Sequence, residues 1–327
     1  MNFTFNNKGL DRTLWRSLAV SCLLAGSVSL GALGCGGNST GMTPTTTTMP
    51  PGTGPTPTTV PTPYTPAYPP APPQVQRGTG GILTAPHVIP VFFNGDKMQS
   101  QLYTFIQNYI TRSISWQVMK EYGIGFGTVA PVTVLQQSLP AAMTDKDVQT
   151  FLGARVQDGS LVPDAQSVVV MYFPASVTIS NNGEMSCKDF AGYHGDATLP
   201  SGTHLAYAVI PRCNQSATQP EPLSSLTFAT SHELAEAATD PTIVSYNDLN
   251  DPYTLWQLNL GGSEVGDLCQ NLADTAVNET GIGIIARVWS NTAMAAYNNP
   301  CQPAAPGPAF FSIPMHTQLQ TVQLNTA

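Results

Sequence analysis

Short apolar runs alternate with stretches of helical spacing through the middle of the chain. His87 to Phe93 (HVIPVFF) is apolar almost throughout, the pattern of a buried strand, even with Pro90 inside it. From Lys97 to Tyr122 the apolar positions are Leu102, Phe105, Ile106, Tyr109, Ile110, Ile114 and Val118, which predicts one helix, ended by Gly123, Gly125 and Gly127. A second helix is predicted after Thr144, with Asp147 as the acidic partner of a capping box, and runs to about Gln157. Ser167 to Phe173 (SVVVMYF) and Leu205 to Ile210 (LAYAVI) read as strands, the first central, each closed by a proline. A third helix is predicted from a Ser224 or Ser225 cap to the stop at Pro241, with Leu226, Leu234 and Ala238 on its buried side. Residues 242–268, rich in Asn, Asp and Gly, read as loops, and Gly283 to Trp289 as a last strand.

This alternation predicts a single α+β (or α/β) domain with a mixed sheet, spanning 78–302. What precedes it looks different. Residues 1–34 combine Lys8, Arg12 and Arg16 with an apolar run from Leu18 to Leu33, as an export signal does. Leu30 to Cys35 (LGALGC) is similar to a bacterial lipobox, which makes Cys35 the expected acylation site and a membrane surface an expected partner. Residues 35–77 are largely Thr, Pro, Gly and Ser, a linker that in polyproline II form would reach on the order of 100 Å. Residues 303–327 read as an extended tail.

The net charge is −8, and removing residues 1–34 makes the chain more acidic still. With no basic cluster, the footprint that phosphate binding requires is missing, and nucleic acid is excluded as a partner. Of six cysteines, Cys22 lies in the leader and Cys35 at its end. The remaining four suggest two disulfides in an exported domain. Cys187 with Cys213 and Cys269 with Cys301 are the expected pairs because each closes a local loop. A four-cysteine zinc site is the competing reading, but no Cys-x-x-Cys spacing exists.

The chemistry concentrates in Ser231 to Pro241 (SHELAEAATDP). On a helix, Phe228, His232, Glu236 and Asp240 share one stripe, with Glu233 beside it. Zinc peptidases place two ligands at i and i+4 of a helix around a general-base Glu, in the pattern His-Glu-x-x-His. Here the second histidine is Glu236. Eight of the 20 acidic residues fall between Ser231 and Asp274, with no Lys or Arg among them. An incidental His-Glu pair on a solvated face would normally be interleaved with basic residues. A cation explains the cluster more simply.

The expected metal ligands are therefore His232 and Glu236, completed by Glu264 or Asp267. Glu233 is the expected general base, and His194, in Tyr-His-Gly, is a further ligand, a transition-state donor or a plain loop histidine. The cofactor is a divalent metal, zinc foremost, with calcium or manganese also suited to a carboxylate-rich shell. A gap of about thirty residues to a third acidic ligand is similar to the gluzincin plan of zinc peptidases. The fold expected on that ground is zincin-like. The reaction expected is hydrolysis of a peptide or amide bond, with no Gly-x-Ser-x-Gly elbow to support serine chemistry. The alternative is a non-catalytic, metal-stabilised module that binds a cell-envelope polymer.

A wider set of residues carries a family resemblance. Cys187, Gly192-Tyr193-His194-Gly195, Tyr207-Ala208, Cys213, SHELAEAATDP, EVGDLC at 264–269, Trp289-Ser290-Asn291 and Cys301 fall in that order over roughly residues 85–302. The chain thereby resembles the EXORDIUM (phosphate-induced protein) family and its bacterial relatives. That resemblance implies a secreted, cell-wall-associated protein, and it implies location and fold more than a reaction.

Overall fold

The computed structural model describes residues 72–214, 221–249, 262–270 and 275–301. The expected leader, Cys35, nearly all of the Thr/Pro segment and the 303–327 tail lie outside the described residues. Among the described residues, no helix is long and apolar enough to cross a membrane.

The framework elements are β1 (His87–Phe93), α1 (Gln99–Arg112), β2 (Thr128–Val129), β3 (Thr133–Leu135), α2 (Asp145–Gln157), β4 (Ser167–Phe173), β5 (Tyr193–Thr198), β6 (His204–Pro211), α3 (Leu223–Thr239), β7 (Ala276–Glu279) and β8 (Gly283–Ala286). Strands β1 to β6 form one mixed sheet in the order β2-β1-β4-β6-β5, with β3 pairing β1 beyond β2. All neighbours are parallel except β5, which runs antiparallel to β6 along the edge. The expected mixed sheet and α/β alternation are present.

The pleat sends alternate residues of each strand to opposite faces. Val168, Val170 and Tyr172 of β4 pack with α1, α3 and the 3-10 helix Ser115–Tyr122, whereas Val169, Met171 and Phe173 pack toward α2. Every residue of β4 is buried, which accounts for its continuous β-branched and aromatic character. The result is three layers around two apolar cores. Pro90 lies where the outer ladder of β1 is interrupted, between the rungs to β2 and those to β3.

Local signals set several boundaries. Thr144 caps α2: its hydroxyl accepts from the Asp147 N–H at 3.2 Å, and the Asp147 carboxylate accepts from the Thr144 N–H at 2.8 Å. The helix expected over Lys97 to Tyr122, by contrast, is two. It breaks at Ser113, where ψ turns to 134°. The Glu279 carboxylate at the end of β7 accepts from the Ser113 hydroxyl and from the N–H groups of Ile114 and Ser115, at 2.7, 2.7 and 3.2 Å. A partner more than 160 residues away thus takes the donors that a continuous helix would use. Helix α3 begins at Leu223 after Pro222, with no side-chain cap, so Ser224 and Ser225 lie in its first turn instead of capping it. The packed chain also starts slightly before Gly78, since Val75–Gln76 pairs with Asp248–Leu249 and Val75 is buried.

Both expected disulfides form, Cys187–Cys213 and Cys269–Cys301. Beside the first, the buried Glu221 carboxylate accepts from the Cys213 N–H at 2.6 Å. Burial pushes the Glu221 carboxyl up to about 7, with the Cys213 N–H and Arg212 only partly opposing it. A pKa raised on folding favours the native state below the ordinary carboxylate range, and that contribution is lost as pH rises toward about 7. Denaturation of wild type and Glu221→Gln at pH 5 and pH 8 should show the wild type losing on the order of 1–3 kcal/mol more across that interval. Equal losses would place the Glu221 carboxyl in its ordinary range.

Candidate metal centre

Helix α3 lies between the sheet and the β7–β8 hairpin, and nearly all of it from Leu226 to Thr239 is buried. Ala229, Ala235, Ala237 and Ala238 allow this close packing. Its hydroxyls are absorbed locally or by neighbours: Thr230 meets the Tyr172 hydroxyl at 2.9 Å, and Ser231 Oγ accepts from the Ala286 N–H at 2.8 Å. His232, Glu233 and Glu236 are buried on this helix as well, so their polar atoms must find partners inside the protein.

The facing element is β5. His194 pairs in register with Ala208, whose side chain points into the α3 layer, so the pleat directs His194 toward α3 too. Its neighbour Tyr193 and the β6 residue Tyr207 point the other way, and both hydroxyls donate to Asp145 at the start of α2, at 2.8 and 2.5 Å. The third element is the segment 262–270. Its short helix Asp267–Gln270 is pinned by the Cys269–Cys301 bond, and the Trp289 N–H donates to the Val265 carbonyl at 2.7 Å.

These elements bring six expected residues together. His232 Nε2 is 3.2 Å from Glu236 Oε1 and 3.5 Å from Asp267 Oδ1. His194 Nδ1 is 3.6 Å from Glu236 Oε2 and 3.7 Å from Glu233 Oε2, and its Nε2 is 3.4 Å from Glu264 Oε1. The Asp267 N–H donates to Glu236 Oε1 at 3.0 Å. Glu264 is the most open of the six, with its side chain 16% exposed, and the other five are at 6% or less. Glu264 and Asp267 do not compete for one position. Asp267 lies by His232, Glu264 lies by His194, and donor atoms within 4.8 Å of one another form two groups that share Glu236.

A seventh residue belongs here. Asp240 ends the helical stripe of His232 and Glu236, is fully buried, and turns one oxygen to the N–H groups of Val244 and Ser245 at 2.7 and 2.6 Å. Its carboxylate also neighbours that of Glu264. The turn that serves Asp240 holds the β-branched Ile243 at a φ of 58°, a left-handed conformation that costs on the order of 1–3 kcal/mol. The i, i+4, i+8 spacing marked Asp240 in the sequence, but nothing there told it apart from a helix-terminal aspartate.

Electrostatics follow from this enclosure. Burial alone would push the His194 imidazole down, but Glu264, Glu233 and Glu236 outweigh it and hold it well above its ordinary value. His232 is raised in the same way, against its burial, by Glu236 and Asp267. Burial would raise Glu236, yet His232 and His194 draw its carboxyl below the usual range. Burial raises Glu233, and raises Glu264 further with the help of the neighbouring Glu236, Asp267 and Asp240 charges. The donor set is imidazole nitrogen and carboxylate oxygen, which suits zinc or manganese. His194 Nε2, buried and with no hydrogen bond among the described residues, faces Glu264 Oε1 at 3.4 Å, an arrangement that fits a cation between the two.

Two glycines shape the walls. A Cβ at Gly266 would sit 2.8 Å from both His232 and Glu236, and one at Gly192 would sit 2.8 Å from Glu233 Oε1. Gly266 has no left-handed φ to explain it, so close approach is its role. No protein-family model, curated protein or solved structure matches the chain.

Gly266→Ala should therefore displace His232 or Glu236 while the sheet and the Cys269–Cys301 bond persist. Titration with zinc should show affinity lowered at least about tenfold, about 1.4 kcal/mol. Wild-type affinity in that variant would mean the helix pair is not the ligand face.

Proposed function

We propose that this chain is an exported, metal-dependent hydrolase acting on a peptide or amide bond. The observation that carries this reading is the meeting, inside the core, of the α3 pair His232 and Glu236 with His194, Glu264, Asp267 and the adjacent Glu233. His232, Glu236 and Asp267 would hold the cation, and His194 and Glu264 stand on its far side. Bound zinc would supply Lewis acidity and a water acidified to a pKa of about 7. Glu233 suits proton transfer: it is a buried carboxylate beside the ligand pair, and burial raises its carboxyl above the usual value. His194, at 3.7 Å from Glu233, can orient that carboxylate or donate to a developing negative charge.

The export-signal pattern of 1–34, the lipobox-like stretch at Cys35, the Thr/Pro segment and the two disulfides support placement at a cell envelope. There a peptide or envelope polymer is the substrate, and a lipidated Cys35 is the contact with the membrane. The resemblance to the EXORDIUM family points to the same location. The zincin-like label rests on the His-Glu-x-x-Glu helix, since β5 also runs antiparallel along the sheet edge, next to the helix.

One observation favours a second reading. Five of the six donors are almost fully enclosed, as in closed structural metal sites, and a non-catalytic envelope-binding module would use the same ligands. Incubating zinc-loaded protein with a peptide library, and following cleavage by mass spectrometry, separates the two. Cleavage should fall on the order of 10²- to 10⁴-fold in Glu233→Gln with zinc retained, and zinc itself should be lost in Glu236→Ala. A Glu233→Gln protein that cleaves at the wild-type rate excludes Glu233 as the base. Bound zinc with no cleavage in the wild type favours the module.

A further inference from the structure

The centre contains more negative charge than one divalent ion can answer. Glu233, Glu236, Asp240, Glu264 and Asp267 are all buried or nearly so, and among the described residues the ion pairs of Glu233, Glu236 and Glu264 are with His194 and His232. With neutral imidazoles as ligands, Glu233, Glu236, Asp240 and Glu264 when ionised present more negative charge than one divalent cation offsets in a low-dielectric space.

Geometry divides the donors in the same way. Glu236 turns Oε1 to His232 and Oε2 to His194, as a bridging carboxylate must. Each side then has its own imidazole and its own unshared carboxylate, Asp267 with His232 and Glu264 with His194, and each set of donor atoms lies within 4.8 Å. The His194 side has a further mark of a ligand position: His194 Nε2 is buried, makes no hydrogen bond among the described residues, and faces Glu264 Oε1 at 3.4 Å. An ion at His232 alone does not explain it.

We propose that the centre binds two divalent cations bridged by Glu236, one held by His232 and Asp267 and the other by His194 and Glu264. This rests on the reading that the cluster is a metal site, and adds a second ion to it. Paired ions about 3.5–4 Å apart belong to hydrolases that clamp both the attacking and the leaving oxygen. The second ion therefore narrows the reaction class and gives His194 a ligand's role.

The full exported chain, stripped with chelator and dialysed against Mn²⁺ or Zn²⁺, should retain two metal ions by elemental analysis. His194→Asn and Asp267→Asn should each retain one, and Glu236→Gln fewer than one. With Mn²⁺, the wild type should give the exchange-coupled electron paramagnetic resonance signal of a dimanganese pair, and His194→Asn the six-line signal of an isolated ion. The spectrum of the wild type decides the matter even if a variant fails to fold. One ion per wild-type chain with an uncoupled signal overturns the second site and leaves the single-metal reading standing. No retained metal in the wild type overturns both.

Discussion

Several carboxylates enclosed together in a protein core constrain everything around them. At an effective dielectric of about 20, two like charges 4 Å apart repel by about 4 kcal/mol. Repulsion among Glu236, Glu264, Asp267, Asp240 and Glu233 would thus approach the whole net stability of a domain, about 5–15 kcal/mol. Something positive must sit among them. Without a cation, the role falls to protons, and burial among these charges raises His194, His232 and Glu264. On the proposed reading a cation would take their place, and its binding would displace protons.

The scaffold meets this constraint by fixing each donor from a different direction. Tyr193, bound to Asp145, holds β5 from the opposite face of the sheet, so His194 cannot turn away without breaking that hydrogen bond. The Cys187–Cys213 bond ties the approach to β5 to the end of β6, just before α3. The Cys269–Cys301 bond holds the short helix that begins with Asp267. Ile243 stays in a strained turn because Asp240 takes the two N–H groups that follow it.

Much of this was readable where the signal is local. The i, i+4 spacing put His232 and Glu236 on one face, the Thr144–Asp147 box started α2, and the uninterrupted run of β4 announced a strand covered on both sides. What escaped depended on distant partners. The break at Ser113 is made by Glu279, and no periodicity in 97–122 records it. Strand β5 reads weakly as YHGDAT, because it alternates buried and half-buried residues and borrows its order from β6. Glu264 and Asp267 appeared as alternatives because sequence spacing gives their distance from α3 but not their direction. The fold places them on opposite sides of Glu236.

The wall over Glu233 lies on the same segment as one of the two disulfides. Gly192 passes so close to the Glu233 carboxylate that a side chain there would collide with Oε1. That segment runs directly from Cys187, whose φ of 64° is itself left-handed, into His194. The Cys187 N–H donates to the Phe190 carbonyl at 2.8 Å, and the bond to Cys213 ties the same residue to the end of β6. The same short stretch therefore sets how closely backbone approaches Glu233 and where His194 enters the cluster. Burial is what raises the Glu233 carboxyl, and the Gly192 backbone is part of what buries it.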